Sequence, residues 1–461
     1  MRRSISCWIV ATFVLCAMNH SCLAADEGAS KKPVSLWPTT KATPDALTQP
    51  ERGWKTAVKP KPLNEKIQKG LTWLAQHQLT SGAWGQGETN SPAFAHSGSG
   101  ASGTVVPSPT APRRSASLYD EQVESIDLPN VTDTCIASLA FIRAGSSPSK
   151  GPYTENVRRA VFYVCAEIES ADEQSPYITG KRNTRDQQKL SPYVDTFMAA
   201  MVLPEVLDQM PDEKSNKRVR VSLEKVLKKM AWHQKNDGTW SDQGWAATLG
   251  QSIAMKGIYR SQLHDIAIPE KMQQQTRFFI QRLYDPRSAR FNQRRSAGVA
   301  LYASSSSLSV LSDWLNSCRD QAEEAQRVIE ESKDSKKCRE ARKIVYQFNQ
   351  VKEDFTAQKK MLMKQLDDNR FLAGFGNNGG EEFYCYMNIG EMLVAQGGKE
   401  WKKWDDAISE RLYSVQNEDG SWTGHHCISG RTFCTSAALL ALMVDRTRFP
   451  TSSKTPALAR D

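Results

Sequence analysis

The first candidates for chemistry are carboxylates at helix starts. Asp133, Asp195 and Glu382 each stand where an apolar stretch with helical spacing begins. A carboxyl group there can act as a general acid or base, and a pair of them carries out hydrolysis in many glycosidases. Such a position also suits a carboxylate for a plainer reason: free N–H groups and the helix dipole favour negative charge. A second group is Cys385, His425, His426 and Cys434, with Cys427 between the last two. Thiolate and imidazole are zinc ligands, and these residues can converge at one end of a helical bundle, although their spacing matches no standard zinc motif. Zinc is therefore the one cofactor these residue types suit, and their spacing alone implies none. The aromatic residues Tyr193, Trp245, Tyr302, Phe383, Tyr384, Tyr386 and Phe433 lie at or near the same helix starts. They either line a cavity for an apolar or cationic ligand or fill the core.

An internal repeat sets the elements that must position these residues. Three segments read Q-x-x-x-G-x-W: Gln78 to Trp84, Gln234 to Trp240, and Gln416 to Trp422. A worn copy runs from Gln365 through Asn369 to Phe371. Each intact copy follows an amphipathic helix. The glycine is expected as a left-handed helix cap, the tryptophan folded over the apolar face, and the glutamine amide bonded to a neighbouring repeat.

Helical periodicity predicts paired helices throughout. The amphipathic set covers roughly 64–78, 154–169, 215–235, 270–284, 320–367 and 400–416. The second set, apolar all round, covers roughly 132–144, 192–208, 245–260, 296–315, 383–397 and 431–446. Helices apolar on every face belong inside and amphipathic ones outside, so six pairs predict a closed ring. The fifth outer helix is long and charged. Its residues 319–343 hold eight basic and seven acidic side chains, the mark of a solvated helical hairpin broken near Ser332–Ser335. A partner-binding arm is the alternative.

The ends and inserts differ in composition. Arg2-Arg3, an apolar run from Ile5 to Met18 and Cys22-Leu23-Ala24 read as a cleaved export signal over 1–25. A flexible linker is expected over 26–62, a Ser/Gly/Pro-rich loop over 86–130, and a tail over 447–461. The ring domain spans 63–446, with the charged helical segment at 319–370. Three of the ten cysteines leave with the signal, and seven is an odd number, so at least one stays outside any internal disulfide. The excess of 60 basic over 51 acidic residues is mild and spread along the chain, without the dense basic block that nucleic acid requires. No transmembrane segment is expected after signal cleavage.

The Q-x-x-x-G-x-W copies resemble the QW repeats of squalene–hopene cyclases and protein prenyltransferase β subunits, over roughly 63–446. The resemblance implies an all-α fold, an α6/α6 toroid with its inner-helix starts facing an apolar cavity. Those cyclases protonate a polyene from a D-x-D-D-T-A motif. The matching stretch here is Asn130-Val131-Thr132-Asp133-Thr134-Cys135, with Thr132 at the proton-donor position. A hydroxyl is far too weak an acid for that step. The prenyltransferases hold zinc with an Asp-x-Cys pair and a His. Cys385 matches the Cys, while Phe383 stands at the Asp position and Cys434 near the His.

The expectation is therefore an exported toroid that binds an apolar or isoprenoid-like small molecule, or a protein partner, without cyclase chemistry. One alternative is an isoprenoid-type cyclase or transferase using Asp133 or Glu382 as its acid. Another is a secreted hydrolase with paired carboxylates.

Overall fold

A computed structural model describes residues 54–87, 127–264, 266–280, 282, 284–285, 290–291 and 294–450. The expected export signal, and most of the expected linker, Ser/Gly/Pro-rich loop and tail, lie outside the described residues.

The described chain is mostly helical. The apolar set forms α2 (Val131–Arg143), α5 (Val194–Val202), α7 (Ala247–Leu263), α9 (Ala300–Glu331), α12 (Gly380–Val394) and α14 (Arg431–Leu442). Every residue of α5 and α12 is buried. These six helices pack in a cyclic order, α2 on α5, α5 on α7, α7 on α9, α9 on α12, α12 on α14 and α14 on α2. The amphipathic set forms α1 (Glu65–Gln76), α3 (Thr154–Ser170), α6 (Glu213–His233), α8 (Glu270–Ile280), α10 (Ser335–Met363) and α13 (Gly398–Ser414). Their buried residues recur at three- and four-residue spacing, as Val157, Ala160, Val161, Val164, Cys165 and Ile168 do on α3. One such stripe buries one face.

The three repeat turns share one geometry. Trp84, Trp240 and Trp422 are buried, and each indole N–H donates to a carbonyl ten residues earlier: Leu74 at 2.8 Å, Met230 at 2.7 Å and Leu412 at 2.8 Å. The glutamine amides bridge their own turn to another amphipathic helix. Gln78 donates to Gly82 O and to Asn156 O on α3, and Gln234 to Gly238 O and Thr276 on α8. Gln416 donates to Gly420 O and to Lys66 O on α1, joining the last repeat to the first. The glycine role differs from the cap expected. α1 ends at Gln76 with His77 as its C-cap, and Gly82 lies in the turn beyond, at φ +87°. A Cβ there would stand 2.7 Å from Arg159 O, so the turn needs glycine for close approach as well as for its dihedral.

Four features depart from the sequence reading. The inner helix expected at 296–315 and the first arm of the charged segment are one continuous helix, α9. The hairpin then turns at Ser332–Asp334, where Asp334 caps α10 through the amides of Lys336 and Lys337. Pro204 tightens the end of α5 into a 3-10 turn over Leu203–Val206. Two short helices, α4 (Arg185–Lys189) and α11 (Asn369–Leu372), lie outside the twelve helix ranges read from the sequence. Finally, strand β1 (Trp54–Thr56), inside the expected linker, pairs antiparallel with β4 (Arg448–Pro450) at the start of the expected tail. A two-residue pair, β2 (Tyr284–Asp285) and β3 (Arg290–Phe291), completes the strands among the described residues. No helix among them is long and apolar enough to cross a membrane.

Candidate functional site

The start of α12 is built on glycine. Gly374, Gly376 and Gly379 precede it, and a Cβ on Gly374 would meet Glu382 Oε1 at 2.4 Å. On Gly376 it would meet His426 Cδ2 at 2.5 Å, and on Gly379 Glu382 Oε2 at 2.7 Å. The run GFGNNGGEE therefore folds as backbone wrapped tightly around two functional side chains. A second loop lies against it: His425 N donates to Asn378 O at 2.8 Å, and Gly380 N to Ile428 O at 2.9 Å.

Within this frame Glu381, Glu382 and His426 gather. A carboxylate oxygen of each glutamate and a ring nitrogen of His426 lie within 4.8 Å of one another. Both glutamates are fully buried and His426 is half-buried. Glu382 Oε1 accepts from the Tyr302 hydroxyl on α9 at 2.5 Å and from Phe375 N at 3.0 Å. Its Oε2 stands 3.3 Å from His426 Nε2, close as an ion pair yet not aligned as a hydrogen bond. Glu381 Oε2 accepts from Ile428 N at 3.1 Å. Burial, reinforced by Glu382, pushes the Glu381 carboxyl up to about 8. Burial works against the His426 imidazolium, but Cys427 and the two glutamates outweigh it and lift the group to about 10. Phe375 packs edge-on against both His426 and Trp245, and Trp245 against Tyr302.

A second carboxylate group lies at the starts of α2 and α5. Asn130 caps α2, accepting from the amides of Thr132 and Asp133. Asp133 is thus released from the capping role and buried. Its Oδ2 accepts from Gln86 at 2.7 Å, and the same amide reaches Asp186 on α4 at 3.3 Å. Burial holds Asp133 well above the usual carboxylate range, and Asp186 and Asp127 add to the shift. Burial, then Asp195, pushes Asp186 up to about 7. Asp195 ties α5 to α2: it accepts from Thr132 N at 3.1 Å, Thr132 Oγ1 at 2.9 Å and Gln187 at 2.7 Å. The Thr132 hydroxyl is thereby committed to a carboxylate.

Cys434 lies near both groups. Burial pushes its thiol well up, and Glu381, Asp133, Glu382 and Asp186 raise it further. That thiol donates to Ile428 O at 3.3 Å, and Cys385 stands beside Ser305. His425 is exposed. Of the sequence-derived ligand candidates, only His426 belongs to the three-residue group described above. All seven cysteines from Cys135 to Cys434 are free thiols. Among the aromatic candidates, Tyr302, Phe383, Tyr384, Tyr386 and Phe433 are buried, while Tyr193 and Trp245 are half-buried. Tyr386 donates to Leu372 O at 2.5 Å, and Tyr193 packs edge-on against Tyr177 and Phe197. Sequence reasoning missed Glu381, Asp186 and Gln86. The adjacent Glu381-Glu382 pair after a glycine run was a usable signal. Nothing in the linear pattern marked Gln86 or Asp186.

Away from these starts, a buried ionic network joins four of the apolar helices. Lys256 on α7 donates to Asp313 on α9 at 3.0 Å and to Glu391 on α12 at 2.7 Å. Arg143 at the end of α2 donates to Glu391 Oε1 at 2.6 Å. Burial opposes ionisation of Glu391, but Lys256, Arg143 and Arg260 hold its carboxyl well below the usual range.

No family model, curated protein or solved structure matches this chain.

Proposed function

We propose that the chain is an exported α6/α6 toroid of the squalene cyclase and prenyltransferase repeat type. In this reading it is a divergent member that binds a ligand or partner at the acidic inner-helix starts and does not cyclise a polyene. The cyclic packing order of the six apolar helices and the Gln416–Lys66 link support the ring. The observation that carries the function is the Lys256–Glu391–Asp313–Arg143 network. α7 and α12 both pack on α9, so a bond between them crosses the space that the inner helices would enclose. A polyene chamber has to be apolar and hollow, whereas charged side chains meeting there fill it with polar groups. The acidic starts instead suit a small cation.

One observation favours a second reading, an isoprenoid-type enzyme with an altered acid. Asp133 is a fully buried carboxyl that burial pushes well above the usual carboxylate range, and its Oδ1 has no hydrogen-bond partner. Uptake of a fluorescent polyene, cis-parinaric acid, separates the two. The filled ring predicts no saturable binding. Saturable binding that Asp133→Asn weakens would favour the enzyme.

A further inference from the structure

We propose that Glu381, Glu382 and His426 bind one divalent first-row transition-metal ion, of the Zn2+ or Mn2+ type. This names a ligand for the acidic helix starts and rests on the reading of them as a ligand site.

The division of labour within each carboxylate carries the argument. One oxygen of each is fixed by the protein: Glu382 Oε1 by Tyr302 and Phe375 N, Glu381 Oε2 by Ile428 N. The other oxygen of each, Glu382 Oε2 and Glu381 Oε1, is buried without an aligned hydrogen bond, and Glu382 Oε2 faces His426 Nε2 across 3.3 Å. Buried polar atoms normally find partners, so two carboxylate oxygens without a hydrogen bond, gathered beside an imidazole, are an unmet demand. Metal-binding carboxylates have this pattern, with one oxygen held by outer groups and one left for the ion.

Geometry and charge agree. Donors around a tetrahedral ion at about 2.1 Å sit about 3.4 Å apart, so small side-chain shifts close a cluster that already fits within 4.8 Å. Two carboxylates neutralise a divalent ion, which removes the repulsion between adjacent buried glutamates. The glycines at 374, 376 and 379 leave no room for a side chain that would displace Glu382 or His426. Two oxygens and an imidazole suit zinc, manganese or iron rather than a soft thiolate-seeking ion. Three protein ligands leave positions open for water or a bound group.

Cobalt(II) is the probe. Chelator-dialysed full chain is titrated with Co2+ and read by metal analysis and visible absorption. The variants are Glu382→Gln, His426→Gln, Tyr302→Phe and Cys385→Ser, each with its fold checked by circular dichroism. His426 is half-buried on a loop, so its variant keeps a folded comparison even if Glu382→Gln unfolds. The expected result is one Co2+ per chain without a thiolate charge-transfer band. Tyr302→Phe should weaken binding by about 10–100-fold, and loss of His426 or Glu382 by more. Cys385→Ser should bind as the parent does. Three results would overturn the metal site: no stoichiometric cobalt, parental affinity in folded His426→Gln, or a thiolate band lost with Cys385. The same preparations are incubated with squalene. A cyclic product refutes the non-cyclase reading whether or not cobalt binds. Absence of both product and cobalt refutes the metal site alone.

Discussion

Lys256 on α7 and Glu391 on α12 form a 2.7 Å ion pair with both side chains almost wholly buried. Desolvating two charges is costly, and here the cost is met by further partners: Asp313 for the lysine, Arg143 for the glutamate. Lys256→Met removes the shared cation and leaves two buried carboxylates facing one another's field. The expected cost is about 3–5 kcal/mol by urea unfolding. A change below about 1 kcal/mol would show that the network does not bind these helices together.

The repeat turns make a packing prediction. Trp240 is buried, and its N–H is bonded to Met230 O. Trp240→Ala should destabilise by about 3–5 kcal/mol in the same assay. Gln416→Ala, which cuts the last turn from α1, removes two backbone contacts and should cost about 1–3 kcal/mol.

Tyr302 tests the support of Glu382. Tyr302→Phe leaves the buried Glu382 Oε1 with Phe375 N as its remaining hydrogen-bond donor. The unmet demand should cost about 1–3 kcal/mol in denaturant unfolding. Tyr302→Phe as stable as the parent would mean that the hydroxyl does not hold the carboxylate.

Asp186 gives a pH prediction. Its carboxyl is raised from 3.8 to about 7, mainly by burial and then by Asp195. The folded protein therefore holds this proton more tightly than the unfolded chain does. The group's contribution to stability is fully present below about 4, is lost as pH rises towards 7, and stays lost above that. In Asp186→Asn the amide oxygen can still accept from Gln86 and Asn130, and no charge forms. Thermal melts from pH 4 to 8 should show a shallower decline for this variant, and a higher melting temperature than the parent at pH 8. Parallel curves would contradict the buried-proton account.

The helical pairs were legible because burial on one face, or on all, writes itself into spacing: the α1 and α14 bounds fall within a few residues of those read from period. The Trp and Gln contacts were legible because three copies repeat them. Continuity of α9 was not, since an apolar first half and a charged second half read as two elements although the backbone never breaks. The site was partly legible. Asp133, Asp195, Glu382 and His426 stand at conspicuous helix starts or beside them. Asp186 sits in a five-residue helix whose sequence, RDQQK, looks like exposed loop. Its burial comes from Gln86 and Asn130, 100 and 56 residues away in the chain. Cys385 and Cys434 lie buried on apolar helices, and each meets a local oxygen.

The central proposal is that charged and aromatic side chains fill the space that a ring of the apolar helices would enclose and that this chain does not cyclise a polyene. The most direct measurement is incubation of the purified protein with squalene and with oxidosqualene, followed by product analysis, alongside Asp133→Asn and Glu382→Gln. The account predicts both substrates recovered unchanged from all three proteins. A cyclic product from the parent, lost in Asp133→Asn, would contradict it.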